Sequence, residues 1–272
     1  MAIHGYWVDR PASAFRQLDP ERTIAVLPLG ATEQHGPHLP LSTDRDLVDA
    51  VIRRSLPLFD QDDPAVLVLP TLAICKSNEH SSFLGTLTLS AETLTRVIME
   101  IGAGVARTGI RRMVLFNGHG GNLPVMQITI RDLRAQYGLQ TLSCSWFQIC
   151  GAEQELDPTE QQHGIHAGLN ETSAMLAAYP HLVEMSKAKH FRSATEAWAE
   201  QSRFLGLGGK PAQPGWLMAD LNPEGACGNA AAATAELGNR LLNTAAHNFV
   251  QVLRDFMALD MAHLDQRGGQ HG

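Results

Sequence analysis

Glu33, His35, His38 and Asp44 crowd into twelve residues of the stretch "LPLGATEQHGPHLPLSTD" (27–44). Carboxylates and imidazoles together are the oxygen–nitrogen donor set that holds Zn²⁺, Mn²⁺ or Fe²⁺ without a thiolate. Glu33 and His35 stand two apart, so on extended backbone both side chains leave from one face. Asp44 falls where a helix is expected to begin, and can turn back toward them. His119 lies in "FNGHGGN" (116–122), whose glycines allow tight turns and a close approach to a ligand. An Asp44 that bridged would allow two ions about 3.5–4 Å apart, an arrangement suited to metal-assisted hydrolysis. Taken singly, Asp44 is an ordinary helix-start carboxylate and His35 and His38 are ordinary loop histidines. Their gathering on two strand-end loops is what favours a metal site.

These side chains need elements that deliver them to one place. "TIAVLPL" (23–29), "AVLVLPTL" (65–72), "RMVLFNG" (112–118) and "QTLSCSWF" (140–147) are short apolar runs that predict buried strands. Helices are expected between them. One begins at Ser42 or Thr43, one follows "SAET" with Leu94, Val97, Ile98 and Ile101 on a single face, and one runs from Pro124 to a stop at Gly138. Later helical stretches are "HAGLNETSAMLAAYP" and a long segment from about 230 to 259. Continuously apolar strands alternating with helices predict one three-layer α/β/α domain over 1–272, with a central, mainly parallel sheet covered on both faces. In such sheets ligands bind beyond the carboxyl ends of strands, which is where both histidine loops leave. "FLGLGGKPAQPGW" (204–216) reads as a mobile loop, and 261–272 as a disordered tail.

Composition narrows the classes. Of 272 residues 44% are hydrophobic, and the net charge of −7 is dispersed without a basic block, which argues against nucleic acid or an anionic membrane as partner. No apolar run approaches membrane-span length and no secretory signal opens the chain, so a cytoplasmic protein is expected. Four scattered cysteines (Cys75, Cys144, Cys150, Cys227) make neither a disulfide framework nor a thiolate zinc site. Trp146 closes the fourth strand run, either as a wall of the substrate pocket or as core; the strand end favours the pocket.

"GATEQHGPHLPLSTD", "NEHSSFLGTLTLS", "FNGHGGN" and "HAGLNETS" follow in order the signature segments of the creatininase (creatinine amidohydrolase-like) family, and the resemblance runs from about residue 23 to 238. It implies a single α/β domain, usually assembled as a hexamer, that hydrolyses amide C–N bonds with one or two divalent ions per chain (Zn, Mn or Fe). Glu33, His35, Asp44 and His119 match the family's metal ligands, with Asp44 the bridging carboxylate. His166 matches an active-site histidine, expected here to move the proton that the leaving nitrogen needs. Ser77, Glu79 and His80 match the segment that borders the substrate, and Gly120 is grouped with them.

The sequence departs from creatininase at positions that bear on substrate. The family's glutamate ligand of the second ion is Gly121 here, and a tryptophan lying over the flat substrate is Gln162. Cys75, Leu84 and Asn229 stand where Gly, Pro and Asp are usual. Glu171, five residues past His166, is either a substitute ligand or orienting partner, or a helix-start charge. The expected function is therefore metal-dependent hydrolysis of a non-peptide C–N bond in a small cyclic amide other than creatinine. Formamide deformylation, short-peptide hydrolysis and non-catalytic metal binding are the alternatives.

Overall fold

Strand residues at one-residue spacing face opposite ways, and the burial of the central strands follows that parity. In the computed structural model, which describes residues 3–207 and 209–259, strand β2 (Thr23–Leu29) is buried along its whole length. Ile24 and Val26 enter one apolar cluster, while Ala25, Leu27 and Leu29 enter the other. Strand β4 (Arg112–Asn117) divides likewise, with Val114 and Phe116 on the first side and Met113 and Leu115 on the second. Strands β1 (His4–Tyr6), β3 (Ala65–Val68) and β5 (Gln140–Ser145) complete a parallel sheet of order β1-β3-β2-β4-β5. The edge strand β1 is short and half-exposed, and carries no apolar run to announce it.

The described helices are α1 (Thr43–Ser55), α2 (Ala91–Arg107), α3 (Leu123–Tyr137), α4 (Ala152–Glu155), α5 (Pro158–His163), α6 (Leu169–Ala178), α7 (Ala194–Gln201), α8 (Met218–Leu221) and α9 (Ala235–Ala258). Helices α2 and α3 cover one face through Leu94, Ile98, Val105, Val125 and Leu133. Helices α1, α6 and α9 cover the other through Leu47, Val51, Met175, Leu241 and Phe249. The expected three layers are present. Phe249 stacks on Phe116 with ring centroids 4.0 Å apart, so α9 is pinned to the centre of the sheet.

Several boundaries differ from the expected ones for local reasons. The strand expected over 65–72 ends at Val68, because Pro70 has no N–H to continue a ladder. Pro28 is accommodated because it lies beyond the last β2–β3 pair, Val26 with Val68. Ser42 occupies the cap position of α1 but does not cap; its hydroxyl donates to Asp46 Oδ2 at 2.6 Å. Ser90 does cap α2, accepting from Thr93 N at 3.1 Å. The last helix begins at Ala235 behind a Thr234 cap, leaving Ala230–Ala232 as a single 3-10 turn. Among the described residues of the stretch, 204–207 and 209–216, the backbone is irregular and holds a Leu205–Ala212 bridge. The tail expected over 261–272 lies outside the described residues. No helix among the described residues is long and apolar enough to cross a membrane.

Strand order places the site. From β2 the chain returns to β3 on one side, and from β4 it runs to β5 on the other. The loops after β2 and β4 therefore diverge and leave a crevice at the carboxyl edge.

Arg254 near the end of α9 donates from Nε and Nη2 to the two oxygens of buried Asp63, at 2.6 and 2.7 Å, fastening the last helix to the loop before β3. These bonds hold the Asp63 carboxyl below its usual range. Its folded value lies below the unfolded one of about 3.9, so the stabilisation is complete above that pH and fades as the pH falls through the folded value. Asp63→Asn is expected to cost about 1–2 kcal/mol near neutral pH, with the gap to the parent closing under acid conditions. Urea melts at both pH values test this; equal stability at neutral pH would refute it.

Candidate metal centre

Three segments meet in the crevice because two glycines let backbone approach backbone. A Cβ on Gly30, at the end of β2, would lie 2.6 Å from Arg45 Cα. One on Gly118, after β4, would lie 2.4 Å from the Asp44 carbonyl oxygen. Only glycine admits the first turn of α1 this closely to both strand ends. Asp44 is thereby set between His35, on the β2 loop, and His119, on the β4 loop. Its Oδ1 is 3.2 Å from His35 Nε2 and its Oδ2 is 3.2 Å from His119 Nδ1.

Glu33 is the hub. Its Oε2 lies 3.2 Å from His119 Nε2, and its Oε1 lies 3.3 Å from His80 Nε2 and 3.7 Å from His166 Nδ1. Glu79 Oε1 adds a further contact to His119 Nε2 at 3.1 Å, and Glu171 Oε2 stands 3.9 Å from His35 Nε2. Ligand-capable atoms converge within 4.8 Å in four overlapping triads: Glu33–His35–Asp44, Glu33–Glu79–His119, Glu33–His80–His166 and His35–His166–Glu171. Both Glu33 oxygens and Asp44 Oδ2 are buried and accept no well-aligned hydrogen bond. Buried carboxylate oxygens left this way are costly unless a cation satisfies them, so the donor set fits a divalent ion.

Backbone and amide groups fix the rings. His35 Nδ1 donates to the Glu33 carbonyl at 3.1 Å, and His166 Nε2 donates to the Gln34 carbonyl at 2.8 Å, so His35 Nε2 and His166 Nδ1 face the cluster. Gln34 settles His80. Its Oε1 accepts from Gly36 N and its Nε2 donates to Gly225 O, which orients the amide to donate to His80 Nδ1 at 2.9 Å. His80 must then carry its proton on Nε2, toward Glu33. Asn117 and Asn122 brace the loops from below. Asn117 Oδ1 accepts from His119 N, and Asn122 links Gly30 O, Asn117 Oδ1 and Lys76 N.

Electrostatics separate the histidines. Burial opposes a charge on His35, but the neighbouring Asp44 carboxylate outweighs it and pushes the ring up to about 10. His119 is likewise raised against its burial, by Glu33 and Asp44. Burial, reinforced by the charge on His35 and His80, holds His166 well below the ordinary imidazole range. Burial pushes Glu171 up to about 7 despite His35 beside it. Asp44 is held far down by the His35 and His119 charges although its burial works the other way. Positive charge is thus drawn onto His35 and His119, the rings beside Asp44, while burial lowers His80 and His166 even though they face Glu33.

The structure brings Glu33, His35, Asp44, His119, His166, Glu171, Glu79 and His80 to one cluster. Ser77 is buried with its Oγ 3.4 Å from His119 Nε2, and Gly120 is exposed at the mouth with open space where a Cβ would be. Trp146 is a correction. It is fully buried in the cluster under α9, with no surface for a substrate to touch. Strand parity accounts for this, since Leu142 and Cys144 of β5 pack on the same cluster. His38 stands outside the cluster, hydrogen-bonded to Thr172 Oγ1 at 2.9 Å. Cys75 is a buried thiol pushed up to about 12 by desolvation, which leaves it inert. Sequence reasoning missed Gln34 and Asn122; the only signal was their position inside the ligand motifs.

The sequence matches the creatininase (creatinine amidohydrolase) family over residues 10–253. It is 34% identical over 220 residues to the mycofactocin precursor peptide peptidase of Mycobacterium ulcerans (strain Agy99), covering 79% of this chain and 78% of that one. It is 32% identical over 192 residues to the creatinine amidohydrolase of Pseudomonas putida, covering 63% and 70%. A manganese form of creatininase superposes with a TM-score of 0.71 at 26% identity, over 95% of this chain and all of the other; a zinc–zinc form of a creatininase variant does so with the same score and identity, over 93% and 98%. With its fold, its ordered motifs and its buried carboxylate–imidazole cluster, the chain belongs to the creatininase family of hydrolases.

Proposed function

We propose that this chain is a single-domain, metal-dependent amidohydrolase that cleaves the C–N bond of a small cyclic amide other than creatinine. The observation that carries it is the set of buried Glu33 and Asp44 oxygens that accept no aligned hydrogen bond inside a ring of imidazoles. Glu33, His35, Asp44 and His119 would hold one or two ions of Zn²⁺, Mn²⁺ or Fe²⁺. Such an ion supplies Lewis-acid polarisation of a carbonyl and a water of lowered pKa.

The chain's own groups supply the rest. His166, its Nε2–H committed to the Gln34 carbonyl, presents a free Nδ1 to the cluster and can take up a proton there and return it to the leaving nitrogen. Glu171 accepts from Ala167 N at 2.6 Å, which holds the carboxylate beside His35 and the His166 segment in place. Ala167 itself sits at φ +53, a conformation few alanines adopt, and that hydrogen bond helps to hold it. His80 turns its Nε2 toward Glu33 Oε1 at 3.3 Å, while Ser77 and Gly120 border the space that a substrate enters. Without an aromatic ring at Gln162, a flat creatinine ring would lack its cover. Assembly as a homo-oligomer, a hexamer by family resemblance, belongs to the same proposal. Leu84 is 98% exposed, and Leu41, Ile74 and Leu87 are also exposed on loops at this edge.

A second reading, hydrolysis of a short peptide, is favoured by one observation. The match to a peptide peptidase is broader, at 79% of the chain against 63% for the creatinine amidohydrolase. Cyclic amides, formamides and short peptides offered in parallel to protein stripped with chelator and then reloaded with Mn²⁺ or Zn²⁺ decide the matter. Turnover should vanish on stripping and return on reloading. Turnover that persists in protein shown to be metal-free would sink the proposal, and the substrate that turns over separates the two readings. His166→Ala should lower kcat by about 10²–10⁴-fold with metal content unchanged. A variant with parental kcat would remove His166 from proton transfer.

A further inference from the structure

We propose that Glu79 is the metal ligand that replaces, from a different loop, the side chain that residue 121 lacks. This rests on the metal-dependent reading above and deepens it. A Cβ built on Gly121 would lie 2.1 Å from Glu79 Oε1, 2.4 Å from His119 Nε2 and 2.5 Å from the Lys76 carbonyl oxygen. The volume where a side chain at 121 would start is therefore filled by the carboxylate of Glu79. A glycine at 121 and a glutamate at 79 fit only as a pair.

The surroundings of that carboxylate are those of a ligand position. His119 Nε2 is ringed by Lys76 O at 2.9 Å, Glu79 Oε1 at 3.1 Å, Glu33 Oε2 at 3.2 Å and Ser77 Oγ at 3.4 Å. The ring N–H is taken by the Lys76 carbonyl, which leaves the converging Glu33 and Glu79 oxygens without a proton between them, a pair that a divalent ion can satisfy. Glu33, Glu79 and His119 form one of the convergent triads. The backbone that carries Glu79 is fixed independently. Residues Asn78–His80 form a single 3-10 turn, Lys76 N donates to Asn122 Oδ1, and Ser77 N donates to Thr88 Oγ1. Lys76 Nζ stands 3.9 Å from the other Glu79 oxygen, so the head group is steered from its far side. Glu171 belongs to a different triad, with His35 and His166. It stands by His35, bound to Ala167 N, at the other end of the cluster from His119.

The test is metal stoichiometry, read without turnover. Parent, Glu79→Gln and His119→Ala proteins are dialysed to equilibrium against Mn²⁺, ion content per chain is measured, and exchange coupling between paired Mn²⁺ ions is followed by electron paramagnetic resonance. The parent should hold near two coupled ions. Glu79→Gln, nearly isosteric, should keep one ion at parental affinity and bind the second at least about tenfold more weakly, with the coupled signal lost. Thermal melts of the metal-free proteins confirm that the variant is folded. Gly121→Ala, which removes no carboxylate but intrudes on the same space, should also lose the second ion. Two coupled ions at parental affinity in folded Glu79→Gln would overturn the inference. A parent with a single ion would overturn it too, while leaving metal dependence intact. No ion in the parent and no difference in His119→Ala would instead overturn the metal reading itself.

Discussion

The placement of Asp44 is the constraint on which the rest depends. A carboxylate with almost no solvent exposure is tolerable only where positive charge meets it, and Asp44 meets it on both oxygens, from His35 and His119. That requires the start of α1 to press against the ends of two central strands, which the missing side chains at 30 and 118 permit. The apolar clusters on the two faces of the sheet hold those strand ends still. Hydrophobic burial supplies the rigidity, and the polar centre spends some of it.

Charge balance gives the centre a dual character. In the protein alone, protons on His35 and His119 provide the positive charge that Glu33, Asp44 and Glu79 need. An entering divalent ion would take over that task, and those rings would release protons as they become ligands. Binding is then an exchange of one kind of cation for another, favoured as the pH rises. The geometry need not be rebuilt, since the Glu33 carbonyl already holds His35 with Nε2 toward the carboxylates.

The central strands β2, β3 and β4 were legible in the sequence because they are largely buried and so read as nearly continuous apolar runs. Strand β1 was not, being a short, half-exposed edge that owes its pairing to β3. The gathering of Glu33, His35, Asp44 and His119 was legible because their residue types and loop positions have few other uses. Trp146 was misplaced for want of strand parity, which sends it with Leu142 toward α9. The fit of Glu79 against Gly121 could not be read at all, because it is a matching of volumes between segments 42 residues apart at Ser77 and His119. Gln34 was hidden in the same way, since its amide matters only through Gly225 and His80.

That last link bears on how the protein is made. Gln34 reaches Gly225 across 191 residues, and His166 reaches Gln34 across 132. A nascent chain that has delivered Glu33, His35, Asp44 and His119 still lacks the strap that orients His80 and the segment that bears His166. High contact order therefore defers closure of the cluster until most of the polypeptide has left the ribosome. The cluster of carboxylates and imidazoles can close only once the segments that carry His166 and Gly225 have been made.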